Sequence, residues 1–263
     1  MSARGLIQEL PLGRDTRKVL VAGYDGTSRV KGVDAGARAL WEALCKCAPD
    51  TVEMDWLALA IANDLRSSDA WCRAVHRVAS ESPIALSLGG EHLLTFPLVE
   101  VLAEQHPGLR LVVLDAHHDA YDYPLLTHYS LFHYCRHELG IPTLIVGARH
   151  ELDQMPPGCV VVSNEACQSD LAATLETIRS FIGDAPCYFS VDVDVLDPVE
   201  FAAVSDAIPG GISIGQLTQI AQAVFALQPV AADIVEYNPG LDPRGESLSK
   251  LAPFLVEVAQ WLG

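Results

Sequence analysis

The chain has 263 residues, half of them hydrophobic, which is enough for one substantial core or two small ones. Its 34 acidic and 17 basic residues leave a formal charge of -17, which repels phosphate backbones and anionic membrane surfaces. Neither nucleic acid nor a membrane is therefore expected as a partner, whereas a cationic substrate would be attracted.

Residues 1–15, MSARGLIQELPLGRD, lack the continuous apolar stretch of a secretion signal. Short apolar, β-rich runs then alternate with segments of three- and four-residue apolar spacing. In chain order the pattern predicts a strand at 18–22, a helix at 34–45, a strand at 51–56, a helix at 68–80, a strand at 84–88 and a helix at 95–106. A strand at 109–115, a helix at 128–139, strands at 143–147 and 159–163, and a helix at 166–182 follow. A strand at 187–192, a helix at 214–227, a strand at 231–236 and a helix at 246–262 complete the chain, with Pro253 expected to disturb the last helix near its middle. MPPG at 155–158 reads as a turn. Such alternation argues for an α/β protein with a parallel sheet covered by helices on both faces, in a single domain spanning 1–263. The seven cysteines are scattered, with Cys159 and Cys187 inside apolar runs, so they read as reduced thiols, and the lone C-x-C of Cys45 and Cys47 is a weak zinc signal. No run approaches the ~18 apolar residues of a membrane span, and a cytoplasmic enzyme is expected.

Polar clusters follow four of the strands: GGEH after 84–88, DAHHD after 109–115, VDVDVLDP after 187–192 and EYNP after 231–236. In an open parallel sheet, ligands bind beyond the carboxyl ends of the strands. Alternate residues of extended chain point the same way, so Asp115, His117 and Asp119 can converge while His118 faces elsewhere, and Asp192 and Asp194 can do likewise. With His92 these make six candidate ligands, four carboxylates and two imidazoles. That set suits hard or borderline ions such as Mn²⁺, and it is too large for one tetrahedral ion. Two metals sharing carboxylates fit it better. Singly, each cluster has a plainer reading as a surface histidine or an Asx turn; four together at four strand ends point to a site.

SLGGEHLLT, DAHHD, SVDVDVLDP and DIVEYNPGLD resemble, in order and spacing, the signature segments of the ureohydrolases, the family of arginase and agmatinase. The resemblance implies a three-layer α/β sandwich around an eight-stranded parallel sheet, with two Mn²⁺ ions. Carried over by motif, it implies one ion held by His92, Asp115, Asp119 and Asp192, and the other by Asp115, His117, Asp192 and Asp194, with Asp115 and Asp192 bridging. Glu236 would hold the substrate guanidinium. His128 would carry a proton to the leaving amine near pH 7, with His133 and His137 as competing assignments that read better as helix-surface residues. Asp197 reads as a turn-forming support. Family members often assemble as trimers or hexamers, which allows a homo-oligomer here.

The sequence also departs from the family. Tyr129 replaces a glycine after the histidine, with loss of backbone freedom at that turn. AYDYPLLTHYS stands where arginases carry Asn and Ser for the α-carboxylate, and VEFAAVSDAIPGG replaces a Gly-Thr-Gly-Thr-Pro-like stretch. Free arginine is thus a weaker expectation than a peptidyl arginine, for instance in a ribosomal precursor peptide, that is converted to ornithine and urea; agmatine or another small guanidino compound is the alternative. A single-zinc deacetylase would use fewer ligands, a metallophosphatase would need Gly-Asp-x-x-Asp and Gly-Asn-His-Glu segments, and a non-catalytic metal-binding relative would be expected to have lost a ligand.

Overall fold

The computed structural model describes residues 18–48, 68–149, 155 and 157–262, together with the strand backbone of 7–8 and 57–61. Its strands are Ile7–Gln8 (β1), Lys18–Ala22 (β2), Leu57–Ile61 (β3), Ile84–Gly89 (β4), Arg110–Leu114 (β5), Thr143–Ala148 (β6), Cys159–Ser163 (β7), Cys187–Asp192 (β8) and Ala231–Val235 (β9). They form one sheet in the order β1-β3-β2-β4-β9-β8-β5-β6-β7. All pairings are parallel except that of β1 with β3, so an antiparallel edge strand is added to eight parallel ones. The strand expected at 51–56 lies outside the described residues, and β3 is a strand that the pattern did not predict.

The two-residue period of the strands divides the core. In β5, Val112 and Leu114 face one layer and Leu111 and Val113 the other; in β2, Val19 and Val21 oppose Leu20 and Ala22 in the same way. The first layer holds Asp34–Cys47 (α1), Asn164–Ser169 (α5), Leu171–Ile182 (α6), Ile214–Phe225 (α7) and Glu246–Leu262 (α8). The second holds Ser68–Glu81 (α2), Thr95–Gln105 (α3) and Leu131–His137 (α4). The result is the three-layer sandwich expected of a parallel sheet, whose central strands must be covered on both faces.

Three helices differ from expectation. The helix expected over 166–182 is broken at Asp170, whose carboxylate accepts from the Ala173 amide at 2.9 Å and so caps α6. The helix expected from 128 starts only at Leu131, leaving His128 in a turn. Helix α8 continues through Pro253, because Leu251, Phe254, Leu255, Val258 and Leu262 bury one face of it on both sides of the proline. That packing offsets the backbone hydrogen bond a proline cannot make. No helix among the described residues is long and apolar enough to cross a membrane.

Candidate active site

The four strands that end in polar clusters, β4, β9, β8 and β5, are consecutive neighbours in the sheet. Their carboxyl ends therefore bring His92, Glu236, Asp192, Asp194 and the 115–119 segment into one place. Extended-chain alternation is not what makes the ligands converge. Strand β5 stops at Leu114, and Asp115 turns the chain by accepting from the His117 amide at 2.6 Å. Asp119 has a φ of 45°, a left-handed conformation that is uncommon away from glycine. Past β8 the chain enters a short 3₁₀ turn, where Asp192 accepts from the Asp194 amide at 2.8 Å. Asp194 in turn accepts from the Ala116 amide at 3.0 Å, which ties the two turns together.

His92 is fully buried, with Nδ1 at 3.1 Å from Asp115, 3.3 Å from Asp119 and 3.3 Å from Asp192. Its other nitrogen, Nε2, lies 2.9 Å from Ser190 Oγ, and Ser190 donates to Asp233 at 2.6 Å. Ser190 has one proton and gives it to Asp233, so it accepts from His92 Nε2–H, which leaves Nδ1 as the nitrogen facing three carboxylates. Asp233 is held by Thr95 and Tyr188 as well, each at 2.7 Å. Neither His92 Nδ1 nor Asp115 Oδ2 makes a hydrogen bond, although both are buried and close together. The second cluster joins Asp115, His117 and Asp194, with His117 Nδ1 at 2.7 Å from Asp194 and 3.6 Å from Asp115. Asp115 thus belongs to both groups, whereas Asp192 groups with His92 and Asp115 only.

The electrostatics ask for positive charge. Burial opposes charging His92, yet the carboxylates of Asp115, Asp119 and Asp192 draw its pKa well above the usual range. Burial and the charge of Asp115 push Asp119 up to about 7, and burial with Asp194 and Asp115 pushes Asp192 well above the ordinary carboxylate value. Buried acceptors of this number, aimed at one another with the histidine tautomer fixed behind them, fit a pair of divalent cations.

Glu236 ends β9 with a φ of 69°, a strained conformation tied down twice: its amide donates to Gly90 O and its Oε1 accepts from the His92 amide, both at 2.8 Å. Burial and the nearby Glu91 push its carboxyl well above the ordinary range. A cavity of about 240 Å³ lies over these groups, lined by His117, Asp119, Asp192, Asp194, Glu236 and His128, with Arg29, Tyr129 and Asp206 toward the surface. His128 is at the cavity wall, with Nδ1 at 2.7 Å from Thr27 Oγ1. Burial holds its pKa down to about 4, not near 7 as expected from the sequence, so the ring is neutral at physiological pH. Tyr129 needs no glycine-like backbone, since only Asp119, Gln228 and Glu236 among described non-glycine residues have positive φ. His133 pairs with Asp122 at 3.7 Å and lies 4.3 Å, ring to ring, from a tilted His137, outside the cavity lining. His118 is buried and lines a different cleft, together with Ala148 and Arg149. Asp197 accepts from the amides of Val199 and Gly210 at 2.9 and 2.8 Å, the geometry of a turn support. Cys45 and Cys47 are exposed and free.

Sequence reasoning missed Ser190, Asp233 and Arg149. The first two stand inside quoted segments, SVDVD and DIVE, but only the fold shows them behind His92. Arg149, from the end of β6, donates to the carbonyls of Asp194 and Val195 at 2.7 and 2.6 Å and carried no motif signal.

Comparison with known proteins agrees with this architecture. The human mitochondrial guanidino acid hydrolase is 27% identical over 279 residues, covering 96% of this chain and 79% of that protein. An agmatinase of Neisseria meningitidis serogroup C is 28% identical over 170 residues, covering 63% of this chain but only 55% of the agmatinase. The structure of proclavaminate amidino hydrolase from Streptomyces clavuligerus superposes with a TM-score of 0.83 over 94% of this chain and 92% of that one, at 24% identity, which speaks to the fold. The family model of the Arginase family matches residues 17–259, nearly the whole chain. The protein therefore belongs to the arginase family, the ureohydrolases, which hydrolyse guanidino C–N bonds.

Proposed function

We propose that this hydrolase acts in the cytoplasm on a peptidyl arginine, releasing urea and leaving ornithine in the peptide. The observation that supports this substrate is exposed apolar surface on the segment that joins two cavity residues, Asp119 and His128. Tyr121, Tyr123 and Leu125 are 48%, 49% and 62% exposed on the segment between Asp119 and α4, where an enzyme for the free amino acid would need polar groups for its α-carboxylate. Exposed aromatic and aliphatic side chains on a segment anchored at both ends in an acidic cavity suit an extended chain that inserts one cationic side chain.

Two Mn²⁺ ions would be held by His92, Asp115, Asp119 and Asp192 and by Asp115, His117, Asp192 and Asp194. When bound they supply the Lewis acidity that makes water nucleophilic at neutral pH. The residues of the chain do the rest. Glu236, buried at the cavity, binds and orients the guanidinium through the carboxylate oxygen not occupied by the His92 amide. Water adds to the guanidinium carbon, the bond from that carbon to the substituted nitrogen breaks, and the departing amine must gain a proton. His128, neutral and on the cavity wall, moves that proton through the ring nitrogen not engaged by Thr27.

A small guanidino acid is the second reading, favoured by Arg29, an exposed cation lining the same cavity at a position able to meet a substrate carboxylate. The human relative's name points the same way. The deciding experiment measures urea release from an arginine-containing peptide, agmatine, guanidino acids and free arginine at equal concentration, with the peptide product weighed for conversion of arginine to ornithine. Fastest release from the peptide supports the first reading. Faster turnover of a guanidino acid, lost on Arg29→Ala, supports the second.

A further inference from the structure

We infer that Thr27, anchored on the buried carboxylate of Glu91, fixes His128 in the tautomer with its proton on Nδ1, which leaves Nε2 as the nitrogen that exchanges protons with the substrate. Glu91 is fully buried in the GGEH turn, between Gly90 and the ligand His92, and is a residue for which charge would be costly without partners. Four donors converge on it from the 24–28 loop: the amides of Thr27 and Ser28 at 3.1 and 2.8 Å, and the hydroxyls of both residues at 2.8 Å. The close approach depends on Gly90, where a Cβ would stand 2.3 Å from Tyr24 O, and it is closed by the Glu91 amide donating to that same oxygen at 2.9 Å. A threonine hydroxyl has one proton to give. Given to Glu91, it cannot also go to His128, so at the 2.7 Å contact Thr27 Oγ1 is the acceptor and His128 Nδ1–H the donor. Two amides and the Ser28 hydroxyl also hold the loop on Glu91. The Thr27–His128 contact lies outside that set and orients an imidazole that lines the cavity. Thr27 is on this account a positioning residue acting through His128, and Glu91 the anion behind it. The catalytic consequence rests on reading His128 as the proton carrier; the tautomer does not.

The test is a two-bond ¹H–¹⁵N correlation spectrum of the full-length protein labelled with ¹⁵N-histidine, recorded near neutral pH without metal and again with diamagnetic Zn²⁺. The His128 pattern is assigned by its loss in His128→Asn. Wild type and Thr27→Ser are expected to show a neutral ring protonated on Nδ1. Thr27→Val, which keeps the shape and removes the hydroxyl, is expected to show the Nε2–H tautomer or a mixture. With Mn²⁺, kcat should fall about 10- to 100-fold in Thr27→Val with little change in KM, and recover in Thr27→Ser. A wild-type His128 protonated on Nε2, or an Nδ1–H pattern that persists unchanged in folded Thr27→Val, overturns the inference. The wild-type spectrum decides the tautomer even if Thr27→Val fails to fold. Full turnover in His128→Asn would instead overturn the proton-carrier reading and leave the tautomer to the spectra.

Discussion

Asp115 stands in both candidate metal groups with no exposed surface, so one substitution there should act on both ions. In Asp115→Ala two cations would face each other with a shared anion removed, and metal analysis of protein loaded with Mn²⁺ is expected to fall from close to two ions per chain to below one. His92→Ala should mainly empty one site. At most one tightly bound ion in the wild type would contradict the dinuclear reading. Loading should also depend on pH with a definite sign. Asp119 in the metal-free protein, raised to about 7 by burial and by Asp115, is protonated below that pH and must lose its proton to bind a cation. Affinity is therefore expected to weaken as pH falls through about 7, with proton release seen by calorimetry in buffers of different ionisation enthalpy. Glu236→Gln keeps the shape and removes the charge. It should retain both ions while lowering kcat/KM about 10- to 100-fold, the loss expected for a charge-assisted contact; unchanged kinetics would remove Glu236 from the site. These residues were legible because each lies in a short polar cluster at a strand end. Ser190, Asp233 and Thr27 were not, since a polar side chain that supports a site histidine from behind looks in sequence like any other serine, aspartate or threonine.

At the scale of elements, local signals and tertiary packing had to agree before a boundary could be read. Helix α7 begins with a reciprocal cap: Ser213 Oγ accepts from the Gln216 amide at 3.1 Å, and the Gln216 side chain accepts from the Ser213 amide at 3.0 Å. Ser213→Ala should reduce stability by ~1 kcal/mol, read as a lower midpoint in urea unfolding, with metal content unchanged. The start of that helix was placed correctly from sequence. The break at Asp170 was missed because apolar spacing runs on across it, and only the cap geometry separates α5 from α6. Pro253 misled in the opposite direction: the buried stripe of α8 outweighs its missing donor.

The whole molecule carries a charge of -17, which a cationic peptide would feel at a distance and a guanidino acid, a zwitterion of no net charge, would not. For a peptide substrate kcat/KM is expected to drop several-fold as added salt shortens the screening length from about 10 Å at 0.1 M toward 3 Å at 1 M. A rate that is flat or rising with salt would speak for the small acid held by Arg29. The amino-acid sequence by itself determined the class of fold, since alternating apolar runs can bury both faces only as a helix-covered parallel sheet. It also determined the chemical type of the site, because carboxylate and imidazole clusters persist whatever the topology. What it left open was adjacency. The clustered strands come in the chain order β4, β5, β8, β9, yet the sheet seats them as β4, β9, β8, β5. The turns at Asp115 and Asp192, each set by the aspartate's own carboxylate accepting a backbone amide, and the left-handed φ of Asp119 decide which side chains meet, not strand alternation. Spacing in the sequence reports only on neighbours along the chain. The hydroxyls that meet His92 and His128 come from segments 98 and 101 residues away, and only closure of the sheet and the 24–28 loop brings them within hydrogen-bonding distance.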